Sequence, residues 1–98
     1  MQRWALTVRE LRGRQQWLHW DTKILGEVTG TYEQALAALY QHAVHYRGFH
    51  PIGGSSRRWV LRDGDGFIAI DQGVTRQVSS EFRVREVLWD SKAQAPNP

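Results

Sequence analysis

The sequence predicts an α+β fold: a single domain in the order ββαβββ, one helix packed on one face of a curved, mainly antiparallel sheet. Three observations carry this. Thr31 to Gly48 has helical periodicity with signals at both ends, the flanking segments alternate with period two, and turn residues divide those segments at hairpin spacing. A chain of 98 residues, 41% of them hydrophobic, builds one domain with its own core. That domain is expected over residues 1–91, with 92–98, ending Ala95-Pro96-Asn97-Pro98, as a disordered tail.

Arg3 to Arg9 reads as the first strand, because Trp4, Leu6 and Val8 alternate with smaller or charged residues. Arg12-Gly13-Arg14 supplies a turn, and Gln16 to Trp20 returns as the hairpin partner. Leu18 and Trp20 then share one face, Trp17 and His19 the other. Lys23 to Val28 either continues this strand after a kink or forms a short third one; Gly26 and Gly30 keep it from being helix.

The helix has the firmest pattern. Thr31 caps it, with Gln34 three residues on completing a capping box. Tyr32, Leu36, Leu39, Ala43 and Tyr46 form one apolar stripe. Gly48 suits the left-handed position after the last turn, Phe49 and Val44 then supply the accompanying hydrophobic contact, and Pro51 forbids continuation.

After a loop from His50 to Ser56 comes a three-strand meander. Arg58 to Arg62 leads into Asp63-Gly64-Asp65-Gly66, a hairpin signal, and Phe67 to Asp71 returns. Gln72-Gly73 makes the next turn. The last strand runs from Val74 through Val84, Phe82 and Val84 facing one way and Arg83 and Arg85 the other, with a bulge expected at Ser79-Ser80-Glu81. One helix covers one face of a sheet this wide, so the other face stays open, curls, or is buried against another chain.

Several chemistries are argued against. Without cysteine, disulfides and thiolate metal sites are excluded. No serine has a nucleophile-elbow context, and no catalytic residue is assigned. Asp63 and Asp65 open a sequence resembling a calcium loop, but position 12 is Val74 where a bidentate Glu belongs, so the segment reads as a turn. His42, His45 and His50 cluster near the helix end without an acidic partner nearby, so no metal and no cofactor is expected.

Net charge is +3, distributed as +2 over residues 1–30, zero over 31–50 and +1 over 51–98, so no contiguous basic stripe forms. Eleven arginines against two lysines fit planar anion recognition, but a coding bias gives the same ratio without any function and is the preferred reading. Met1-Gln2-Arg3-Trp4 opens no apolar leader and no apolar run reaches membrane-spanning length, which gives the expectation of a cytoplasmic protein with no membrane partner.

Five tryptophans are more than one helix can cover. Trp4, Trp20 and Trp59 fit the helix-facing core, which leaves Trp17 and Trp89 on the opposite surface. The first expectation is therefore a non-catalytic protein-interaction or accessory module, a homodimer or a binder of another protein through the uncovered sheet face or edge, with Trp17 and Trp89 as anchors. The second is a nucleic-acid binder, with Trp17 and His19 stacking bases and Arg57, Arg58, Arg83 and Arg85 following phosphates. The Gly53-Gly54-Ser55-Ser56 loop before Arg57 and Arg58 is a weaker anion cradle, since it leaves a helix C-terminus instead of entering an N-terminus. The third is a small-ligand cleft between helix and sheet, lined by Tyr32, Tyr40 and Trp59.

Overall fold

The computed structural model describes residues 2–13, 17–47 and 57–92. The elements are β1 (Arg3–Arg12), β2 (His19–Thr29), α1 (Tyr32–His45), β3 (Arg57–Asp63), β4 (Gly66–Gln72) and β5 (Gln77–Glu86). They form one five-stranded antiparallel sheet in the order β2-β1-β5-β4-β3. The hairpin and the meander expected from the sequence are both present. The first and last strands pair with each other to join them, and α1 lies in the chain between the two units.

Alternation along the strands sends Leu6 and Val8 of β1, Phe67 and Ala69 of β4, and Phe82 and Val84 of β5 to one face, where they meet Ala35, Leu39 and Ala43 of α1. Val8, Leu39 and Phe82 are wholly shielded from solvent, each burial being worth about 1.5–3 kcal/mol relative to exposure. Three aromatic pairs seal the rim edge-on: Trp4 on Tyr32, Tyr40 on Phe67, and Tyr46 on Phe82.

The expected start of the helix is present. The Thr31 hydroxyl accepts from the Gln34 N–H at 3.1 Å, and Gln34 Oε1 accepts from the Thr31 N–H at 2.9 Å. Its end differs. The chain leaves the helix at Tyr46 in extended conformation, φ −62° and ψ 133°, before the left-handed stop expected at Gly48. Two tertiary contacts account for this. Tyr46 turns down onto Phe82 and donates its hydroxyl to Glu10 at 2.8 Å, while Arg58 Nη1 donates to the free carbonyls of Ala43 and Val44.

Strand bounds shift where pairing partners extend them. β1 runs on to Arg12, past Arg9, and β2 begins at His19 after Trp17 and Leu18, then continues unbroken to Thr29. β5 begins at Gln77, so Val74 stands exposed in a connection closed by the Gly73 N–H on the Arg76 carbonyl. The bulge is in β2, not at Ser79-Ser80-Glu81: Leu6 pairs with Gly26 and Thr7 with Ile24, which leaves Leu25 as the extra residue. β5 keeps an unshifted register with β4 throughout. The bulge inverts the parity of β2, so that Leu25 and Val28 both reach the core. Asp63 and Gly66 close a two-residue loop in which Gly64 has φ +57°, the left-handed conformation such hairpin turns require. Expectations for Arg14, Gln16, Gly48, Phe49, His50, the Gly53–Ser56 loop and residues 93–98 of the tail lie outside the described residues.

Candidate interaction surface

The face of the sheet turned away from α1 carries apolar clusters toward one end of the strands and ion pairs toward the other. Toward the end where β1 passes into its turn, Leu11 pairs with Trp20 on one side of the sheet, and Ile70 pairs with both Ser79 and Trp59 on the other. One step along, Ile68 pairs with Leu61. These side chains make two apolar clusters, Leu11 with Trp20 at the β2 edge and Ile68, Ile70, Trp59 and Leu61 at the β3 edge, separated on β5 by Ser79 and Glu81. Trp20 is 47% exposed, and Leu11 and Leu61 are also exposed. An arginine lies over the indole of each cluster, Arg9 at 4.5 Å from the Trp20 ring centroid and Arg57 at 4.3 Å from that of Trp59.

The charged part is paired within the chain. Arg83 Nη2 donates to Asp63 Oδ2, with Glu81 and Asp65 at 3.7 and 3.8 Å. Arg85 Nη1 donates to Asp65 at 2.6 Å. Arg3 Nη2 donates to Asp90 at 2.9 Å and to Glu27 at 2.7 Å. Hydrogen bonds to Asp90 and then Glu27 raise the Arg3 guanidinium above its ordinary pKa.

Among the residues singled out in the sequence, Arg57, Arg83 and Arg85 reach this face. The others do not form one site with them. Trp17 is 74% exposed in the connection before β2, its carbonyl 3.2 Å from His19 Nδ1, and His19 pairs with Arg12 at the far end of the hairpin. Trp89 is 69% exposed beyond the end of β5. Arg58 is on the helix face in a two-bond pair with Asp71, at 2.7 and 2.8 Å, and therefore does not join a phosphate track. The cleft of Tyr32, Tyr40 and Trp59 is not formed: Tyr32 packs on Trp4, Tyr40 packs on Phe67, and Trp59 is on the opposite side of the sheet.

Trp20 and Trp59 were expected in the core and stand instead on the open face. For Trp20 the reason is the Leu25 bulge, since counting alternate residues back from the core residue Val28 gives the wrong parity. Trp59 was legible in principle. The two-residue turn fixes Ile70 opposite Trp59 and Ile68 opposite Leu61, on the other face from Phe67. A strand apolar at successive positions, Phe67-Ile68-Ala69-Ile70, was the available signal that both faces needed covering.

Among the described residues no group of three or more His, Asp or Glu is arranged to hold a metal ion, and no helix is long and apolar enough to cross a membrane. His45 Nδ1 is taken by the Gln41 carbonyl at 3.0 Å. No family model, no curated protein and no solved structure matches the chain.

Proposed function

We propose that this chain is a non-catalytic protein-interaction module that self-associates through the side of its sheet left open by the helix. The observation that carries the reading is the pair of apolar clusters around Trp20 and Trp59, on a face over which the described residues supply no second layer. Exposed tryptophan beside arginine is the composition of interface anchors. The remainder of the face bears acids and bases that neutralise one another, as in Arg83 with Asp63 and Arg3 with Glu27. A surface of mixed sign does not repel its own copy, whereas a one-signed surface would.

The same pairing argues against a nucleic-acid face. Arg83 and Arg85 already hold carboxylates, which would have to be displaced before a phosphate entered, and Arg9 and Arg57 each cover one face of the indole that a base would stack on.

The test is sedimentation velocity combined with acrylamide quenching of tryptophan, from low to high micromolar protein. Self-association gives a weight-average mass that rises with concentration, together with falling quenching. A mass that stays at 11.4 kDa throughout, with quenching unchanged, rules the reading out.

A further inference from the structure

The two edges of the sheet are not equivalent. β2 carries the bulge at Leu25, which bends an edge and disfavours further pairing. β3 is straight: its seven residues, Arg57 to Asp63, hold an unshifted register with β4, and they contain neither proline nor glycine. The hairpin also fixes which of its main-chain groups are used. A two-residue loop closes on a hydrogen-bonded pair, here Asp63 with Gly66, and bonded and non-bonded pairs alternate from there. Arg57, Trp59, Leu61 and Asp63 therefore direct their N–H and C=O groups to β4. Those of Arg58, Val60 and Arg62 point out of the sheet edge.

We propose that two copies of this chain join through β3, antiparallel and in the register that places Val60 opposite Val60 of the other copy. This rests on the self-association reading above and names the contact that produces it. Val60 is the centre because its main-chain groups face outward, so the Val60–Val60 and Arg58–Arg62 positions become the hydrogen-bonded pairs of the new ladder. The sequence Arg57-Arg58-Trp59-Val60-Leu61-Arg62-Asp63 is self-complementary about that point. On the open face Arg57 meets Asp63 of the other copy, and Trp59 meets Leu61, each twice by symmetry. The apolar cluster of Trp59, Leu61, Ile68 and Ile70, which ends at β3 in a single protomer, becomes continuous with its copy across the seam. The one like-charge juxtaposition is Arg58 with Arg62, and Arg58 is already neutralised by Asp71, while the Arg62 guanidinium lies over Phe67 with Nε on the Gly64 carbonyl.

Absence of cysteine makes the register directly readable. Trp59→Cys and Leu61→Cys are prepared as separate full-length variants and oxidised alone and mixed. The mixture is expected to give a disulfide dimer in at least fivefold higher yield than either variant alone, because only position 59 with position 61 is adjacent across the seam. Arg62→Pro removes an outward N–H and no main-chain bond to β4; compared with Arg62→Ala, which deletes the same contacts to Phe67 and Gly64, it is expected to weaken self-association at least tenfold without changing the circular-dichroism spectrum. Arg57→Glu, which sets a carboxylate against Asp63 of the other copy, is expected to do the same. A wild-type chain that stays monomeric overturns this proposal together with the self-association reading. A wild-type dimer indifferent to Arg62→Pro, without the mixed crosslink, overturns the β3 register alone and points to stacking of the two open faces.

Discussion

Arg58 and Asp71 face one another across the β3–β4 ladder, with the guanidinium donating from Nε and Nη2 to the two carboxylate oxygens of a nearly buried acid. The same guanidinium reaches the carbonyls of Ala43 and Val44, so one side chain ties the meander's edge, its neighbouring strand and the last turn of the helix. It offsets the helix dipole where the dipole is negative.

Removing either member leaves a charge without that partner in a poorly hydrated place. Arg58→Ala or Asp71→Asn is expected to cost about 3 kcal/mol, the lower end for breaking buried pairs, because Arg58 keeps some solvent contact. Arg58→Lys is expected to recover little of this, since an ammonium does not reproduce the two parallel bonds. Urea unfolding of the three variants measures it.

Tyr46 joins the helix end to the sheet by its ring on Phe82 and its hydroxyl on Glu10, which is 2% exposed. Tyr46→Phe retains the ring contact and deletes the hydrogen bond to a buried acid, for an expected loss of about 1–3 kcal/mol. Phe82→Ala removes the ring at the centre of the core and is expected to cost about 3–5 kcal/mol. If Tyr46→Phe is as stable as the parent, the hydroxyl contributes nothing to folding.

The N-terminal cap offers a smaller and separable effect. Thr31→Ala is expected to lower stability by about 1 kcal/mol. Gln34→Ala keeps the Thr31 bond to the Gln34 N–H and loses only the reciprocal one, so its loss is expected to be the smaller. Thermal unfolding of both variants tests the order.

The surface indoles are expected to behave in the opposite way. Trp20→Gln changes stability by no more than about 0.5 kcal/mol, as for a surface position, the lost Arg9 contact included. Trp4→Gln, by contrast, loses the Tyr32 contact and the Nε1–H bond to the Gly30 carbonyl at 2.9 Å, and destabilises the fold. Comparing the two unfolding midpoints separates core from surface tryptophan.

Oligonucleotide binding is expected to be undetectable at physiological salt. Weak association at low salt, if any, should show a shallow salt dependence, because Arg83 and Arg85 are already paired with carboxylates. A fluorescence-anisotropy titration at several salt concentrations that returned a slope of several released ions would refute this.

The local pattern of the sequence determined the elements: the capping box at Thr31 and Gln34, the hairpin at Asp63 to Gly66, and the alternation that sets Phe82 and Val84 against Arg83 and Arg85. These are signals between residues a few positions apart, where backbone sterics and nearby hydrogen bonds act alone. Tertiary structure decided where the helix stops, because Arg58, Tyr46 and Glu10 meet only after the sheet forms. It also decided which face receives Trp20, because the bulge at Leu25 is a property of how β2 fits against β1. The pairing of the first strand with the last was equally beyond local reading: antiparallel neighbours 76 residues apart, such as Thr7 and Arg83, are chosen by the burial of one shared apolar face and by no signal within either strand.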